Sequence, residues 1–249
     1  MTGLTGQVFG PVVLALAFMV ALSLCGAAMA QESPTPASIP EQSASSSPTP
    51  TTPTPTPTPV RQVRIQFVPP PMEGTISLGI FDEQGKLVRV LHREAKIENF
   101  TVEENSLSTS WDGKNDAGED APAGKYRARG YAVGDLKSHD IGKSKEPVFN
   151  DAPETVSITL IANPLTNGTR SVVNLMAGFN ERNAYLKTAD GLPLRTIAQT
   201  EEIMDGVTLL KDSNKSLQFY FRHGEITHEF RITGAEEMMA FDCGTFDLK

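Results

Sequence analysis

From Arg61 onward apolar and polar side chains alternate with a period of two, the repeat of a strand with one buried face. Val63, Ile65 and Phe67 share one side, with Gln62, Arg64 and Gln66 on the other, until Pro69-Pro70-Pro71 ends the run. Ile76, Leu78 and Ile80 alternate within 75–81, and the turn Asp82-Glu83-Gln84-Gly85 leads directly into 86–91. This predicts a hairpin, because a parallel crossover needs about a dozen connecting residues. Leu107, Thr109 and Trp111 oppose Ser106, Ser108 and Ser110 in a half-buried strand that stops at Asp112-Gly113. In 125–133, Tyr126, Ala128, Gly130 and Ala132 face away from Lys125, Arg127 and Arg129, as in an antiparallel sheet with one wet surface. No stripe of helical period interrupts the series.

A connector rich in Lys, Gly and Asp follows, and alternation resumes at Glu154. Val156, Ile158 and Leu160 alternate, Asn163-Pro164 breaks the run, and 171–176, 184–188, 194–198 and 206–210 continue it, with turns at Asp190-Gly191 and Asp205-Gly206. The clearest hairpin is the last. Leu217, Phe219 and Phe221 run into His223-Gly224, and the return sets Ile226, His228, Phe230 and Ile232 on one face. The segments 185–197 and 219–232 resemble each other faintly, but two units are too few to close a propeller. A small sandwich, or a sheet packed on the first region, is the expectation.

The N-terminus changes the compartment. An apolar run from Val12 to Leu24 precedes the small residues Gly26 to Ala30, which reads as a signal peptide over 1–30 cleaved after Ala30. It lacks basic residues, and it falls short of the ~20 apolar residues of a membrane span, so no transmembrane segment is expected after cleavage. Cys25 raises a lipid anchor as the alternative, but Leu24 stands where lipoprotein signals carry Gly, Ala or Ser. Residues 31–60, with Thr-Pro repeats from Pro48 to Pro59, cannot bury enough apolar surface to fold and read as a disordered spacer. The expected organisation is therefore leader 1–30, linker 31–60, a β-sandwich at 61–135, a connector at 136–153 and a second β-rich domain at 154–249. The net charge of −8 belongs to the mature chain and argues against nucleic acid as a partner, since the basic stretch from Lys137 to Lys145 is diluted by Asp140. With the leader removed, Cys243 is alone and forms no internal disulfide.

One resemblance refines the first region. The order Ile80-Phe81-Asp82, Gly85 to Leu91, Trp111-Asp112-Gly113-Lys114-Asn115-Asp116-Ala117-Gly118 and Pro122-Ala123-Gly124-Lys125-Tyr126 resembles the immunoglobulin-like domain of flagellar hook-capping (FlgD-type) proteins, over about residues 62–134. The resemblance implies an immunoglobulin-like sandwich. Its motif residues Trp111, Asp112, Gly113, Gly118, Pro122, Gly124 and Tyr126 have structural jobs: a core plug, turn dihedrals and a redirected chain. A hook-capping role is not implied, because that family leaves the cell without a cleavable signal. No family is recognised for 154–249.

Several residue groups invite chemistry, and each has a plainer reading. Asp112, Asn115, Asp116, Glu119 and Asp120 offer oxygens to calcium, but Lys114 occupies a ligand slot and a solvated turn is expected. Ser138-His139-Asp140 has the residue types of a triad, yet neighbours on an extended chain point to opposite sides. His223 and His228 face each other across one hairpin without a third ligand at zinc spacing. Glu201, Glu202, Glu236 and Glu237 form adjacent acidic pairs typical of solvated surface. The sequons at Asn99, Asn167 and Asn214 are chance matches in a bacterial exported protein.

The expectation is an all-β, non-enzymatic binding or scaffolding protein, periplasmic or secreted, without cofactor or metal, whose partner is a protein or another envelope component. It would work through edge strands and loops. An envelope hydrolase with a site around His228, and a carbohydrate-binding module with an exposed aromatic platform, are the alternatives.

Overall fold

Alternation becomes strand wherever the apolar set finds a facing sheet, and it does so throughout the computed structural model, which describes residues 61–144, 155–212 and 215–249. The leader with Cys25, the linker, residues 145–154 and Asn214 lie outside the described residues. The fold is all-β, and every strand pairing is antiparallel.

The strands are β1 (Val63–Phe67), β2 (Ile76–Asp82), β3 (Leu87–Ala95), β4 (Thr101–Val102), β5 (Leu107–Trp111), β6 (Gly124–Ala132), β7 (Lys137–Ser144), β8 (Val156–Thr159), β9 (Val172–Asn180), β10 (Asn183–Thr188), β11 (Pro193–Gln199), β12 (Gly206–Lys211), β13 (Leu217–His223), β14 (Ile226–Thr233) and β15 (Met239–Leu248). They form four sheets, ordered β1-β5-β4, β15-β6-β2-β3, β11-β10-β9-β8 and β12-β13-β14-β7. The first two enclose one core, around Trp111, Ile65, Leu78, Ile80 and Tyr126. The last two enclose another, around Leu175, Leu186, Leu194, Phe219 and Ile232. These are two sandwiches, each built by inward residues at every second position.

Two segments depart from the sequence reading. The expected connector contains β7, which pairs with β14 as the last strand of the second sandwich. Its side chains are mostly exposed, so it has no alternation of burial by which a strand is recognised. The chain's last strand, β15, leaves the second region and pairs with β6 from Met239↔Ala132 to Leu248↔Gly124. It places Phe241 4.9 Å from Phe67 and Phe246 5.9 Å from Trp111, inside the first core. Segment 239–248 therefore completes the sandwich begun at Val63.

All described residues fall in one compact unit, Thr56–Lys249, and β11 packs on β2 and β3 to join the sandwiches. Gly79, whose missing Cβ would come 3.1 Å from Leu192, lets the strands approach. Ser77, fully buried, donates to the Leu194 carbonyl at 3.5 Å and accepts from the Glu94 amide at 3.2 Å. Arg129 lies 4.0 Å over the Phe81 ring and reaches Asp190 at 2.6 Å, and Arg93 lies 4.7 Å over Tyr185. Glu94 is the centre of this seam. Its carboxylate accepts from the Thr196 amide at 2.7 Å and the Thr196 hydroxyl at 2.6 Å, and it pairs with Arg195 and Arg93 at 3.7 Å.

Glu94 also holds φ at 47°, in the left-handed region. Glu94→Ala is expected to lose about 1–3 kcal/mol, because it strands the Thr196 amide at a half-buried seam. Glu94→Gly is expected to be the milder variant by up to about 1 kcal/mol, the reverse of the ordinary strand preference, since glycine accepts that φ freely. Urea unfolding of the two variants checks the order.

Candidate functional site

The motif residues of the first sandwich have their places. Trp111 is fully buried and lies 5.0 Å from Tyr126, and its Nε1 donates to the Lys114 carbonyl at 2.8 Å. Asp112 accepts from the Lys114 amide at 3.0 Å, and Gly113 and Gly118 hold φ of 75° and 81°. Tyr126 donates its hydroxyl to the Pro122 carbonyl at 2.7 Å, and Gly124 opens β6. Burial raises the Tyr126 phenol above its ordinary value. Of these motif residues, Pro122, Gly124 and Tyr126 line an open groove of about 570 Å³ bordered by Asp82, Lys86, Asp116 and Lys125.

The acidic oxygens of that loop are already engaged within the protein. Asp116 accepts from the Val90 amide at 2.9 Å, Glu119 from the Asn115 side chain at 2.9 Å, and Asp120 from Lys114 Nζ at 2.8 Å. The Lys114 ammonium holds the Asp120 carboxyl below the usual range. No group of three His, Cys, Asp or Glu side chains that could hold a metal occurs among the described residues.

The other candidate residues are distributed as follows. Ser138, His139 and Asp140 lie exposed along β7, paired opposite Ile232, Arg231 and Phe230, so their side chains alternate between faces. His228 stacks on Phe221 at 4.9 Å and on His223 at 5.3 Å. His223 contacts Glu202 at 2.5 Å, while its Nδ1 is buried without a hydrogen-bond partner among the described residues. Glu201 and Glu237 are exposed, and the Glu236 carbonyl accepts from the Ile161 amide at 2.8 Å. Burial, and then the Asp242 charge, pushes the Cys243 thiol up to about 12, so it stays protonated at neutral pH and is a weak nucleophile. Trp111 and all four tyrosines are buried or half-buried, which leaves none of them as an open platform for a sugar.

What distinguishes one surface from the rest is the state of the sheet edges. An edge strand offers unpaired amides and carbonyls, and proteins ordinarily blunt it with side-chain caps, bulges, inward charges or prolines. On β3, Asp116 caps the Val90 amide and donates its own amide to the Val88 carbonyl at 3.1 Å. On β11, Glu94 and Ser77 engage Thr196 and Leu194. β15 has a register shift between Asp242 and Thr245, and its Ala240 carbonyl accepts from Asn163 at 3.0 Å. β7 is bulged opposite Glu229 and Phe230, and it sets Asp140 and Lys143 on the core-side face, opposite Phe230 and His228. β4 has two residues, and β1 lies beside β15 and runs into Pro69-Pro70-Pro71.

β8 and β12 remain. β12 pairs with β13 without a register shift, from Gly206↔Arg222 to Lys211↔Leu217, and carries no charge before Lys211. On β8, the bond from the Leu160 amide to the Ser171 carbonyl fixes the phase of the ladder. Ser157 and Thr159 therefore direct their amides and carbonyls away from β9. The Ser157 carbonyl accepts from Lys211 Nζ at 3.4 Å, and Thr159 has no such cap among the described residues. Between the end of β8 and the start of β13 lies a slot of about 390 Å³, with Ile158, Leu160 and Leu217 beneath it and Arg170, Lys211 and Lys215 at its rim.

These slot residues have no motif in the sequence. The only available signal, an uncharged apolar strand from Gly206 to Leu210, becomes meaningful once the strand order makes it an edge. No protein-family model, no curated protein and no solved structure matches the chain.

Proposed function

We propose that this chain is an exported, non-enzymatic binding or scaffolding protein that recognises a protein partner by strand addition at the β8–β12 slot. On this reading the first sandwich is an immunoglobulin-like module of the FlgD type serving as scaffold, and the Pro/Thr linker holds the two sandwiches away from their point of attachment. One observation carries the proposal. Thr159 lies on an edge strand that pairs with β9 without a register shift, is exposed, and directs its amide and carbonyl away from β9 with no cap among the described residues. Main-chain bonding supplies affinity in such complexes, and alternate side chains supply selectivity.

The test removes one outward donor and leaves the core alone. Thr159 is exposed, and proline is tolerated on an edge strand when the lost N–H faces solvent. Residues 31–249 immobilised as bait in envelope extract should retain a partner. Thr159→Pro should lower that retention about tenfold, with a thermal midpoint within a few degrees of the parent. Equal retention by both baits moves recognition to another surface. Failure of the parent to retain anything, with hydrolysis in a broad substrate panel, replaces the binding role by the enzyme alternative.

A further inference from the structure

We infer that the partner segment is an extended peptide carrying a carboxylate, either its C-terminus or an acidic side chain, which the rim of the slot receives. This rests on the strand-addition reading and deepens it. Three cations, Arg170, Lys211 and Lys215, border the slot, against one acidic residue, Glu236, in a chain whose net charge is −8. All three cations are exposed, and none is in an ion pair among the described residues. A local positive rim on an acidic protein selects an anionic ligand and repels further copies of the chain's own acidic surface.

Two details favour a peptide over a small anion or an amphiphile. The outward amide and carbonyl of Thr159 offer a donor and an acceptor side by side, which a strand residue matches and an acyl chain does not. Lys211 already reaches from the end of β12 to the Ser157 carbonyl at 3.4 Å. An incoming strand on β8 takes over that carbonyl with its own amide and frees the ammonium to meet a carboxylate at the same place.

Lys215 holds φ at 58°, a conformation in which glycine or asparagine is the easy residue. The floor of Ile158, Leu160 and Leu217, with Ile161 37 % exposed beside it, accepts one apolar side chain next to the carboxylate. The preferred segment is therefore alternating and β-forming, with an acidic or terminal carboxylate adjacent to an aliphatic residue.

Fluorescence anisotropy on residues 31–249 tests this with a labelled alternating Thr-Val peptide ending in Glu-Val. The arms are the free acid, the C-terminal amide, the amide with its Glu replaced by Gln, and dodecyl phosphate as the amphiphile. Binding of the free acid should weaken about tenfold when both carboxylates are neutralised, and about tenfold in the triple variant Arg170→Gln, Lys211→Gln, Lys215→Asn. Asparagine suits the left-handed position of Lys215, so the variant should keep its thermal midpoint. Hydrogen exchange at the Thr159 amide should slow when the free acid binds.

Binding indifferent to the carboxylates or to the triple variant overturns the inference, as does binding of dodecyl phosphate with none of the peptides bound. The same variant used as bait separates the two levels. An extract partner retained equally by parent and triple variant removes the carboxylate requirement and leaves the binding role standing, whereas no retention by the parent removes the binding role itself.

Discussion

Removing residues 239–249 is expected to unfold the first sandwich and leave the second substantially formed. β15 covers the edge of β6 along nearly its whole length, from Met239↔Ala132 to Leu248↔Gly124. It also contributes Phe241 and Leu248, 6 % and 4 % exposed, to the first core, with Phe246 packed against them. Each fully buried side chain is worth about 1.5–3 kcal/mol, so Phe241 and Leu248 account for roughly 3–6 kcal/mol, to which half-buried Phe246 adds. A typical domain has about 5–15 kcal/mol in total, so this loss, together with that of the β15–β6 ladder, consumes much of it. The single Trp, Trp111, reports on this sandwich alone. Its emission should shift to that of a solvated indole in the truncated chain, while far-UV circular dichroism keeps a reduced β signal. A blue emission maximum with an unchanged midpoint would show that β15 is dispensable. Residues 61–135 alone should fail to fold for the same reason.

Trp111→Ala should cost about 3–5 kcal/mol, the range for truncating a large buried aromatic. Trp111 is fully buried, lies within 6 Å of both Tyr126 and Phe246 at 5.0 and 5.9 Å, and satisfies the Lys114 carbonyl through its indole N–H. Alanine leaves a cavity at the point where β5, β6 and β15 meet and also orphans that carbonyl. Trp111→Phe should recover more than half of the loss by refilling the aromatic stack, while the lost hydrogen bond accounts for about 1 kcal/mol of what remains. Guanidinium unfolding followed by circular dichroism measures both variants. Equal stability of the Ala and Phe variants would mean that the stack contributes nothing beyond the bond to Lys114.

Most strands were legible because their environment is two-sided. Val63 to Phe67, Leu107 to Trp111 and Leu217 to Ile232 alternate in sequence because one side meets a core and the other meets water or polar neighbours, whereas Ile76 to Ile80 alternates although its second face, Ser77 and Gly79, is buried at the seam with β11. β7 was not legible, since burial that is low on both faces leaves no alternation to read. The bound set for the second region was equally beyond reach of pattern alone. Nothing in Met239 to Leu248 states whether its apolar residues join Leu217 and Phe219 nearby in sequence or Phe67 and Trp111 more than a hundred residues away.

The slot was hidden for a related reason. Thr159, Arg170, Lys211 and Lys215 are unremarkable in sequence, since an edge is a property of strand order and a rim is a property of which loops share an end of a sandwich.

The sequence by itself determined the all-β class, the turns, the alternating cores and the structural character of the Trp111–Tyr126 motif, because each depends on residues within a few positions of one another. The tertiary structure decided the rest. It sent β15 back to the first sandwich, locked the two sandwiches through Glu94, capped or covered most edges and left Thr159 on β8 without a cap among the described residues. Those outcomes rest on contacts between distant segments, whose free energy comes from fit and desolvation at the place where they meet and is not written in either segment alone.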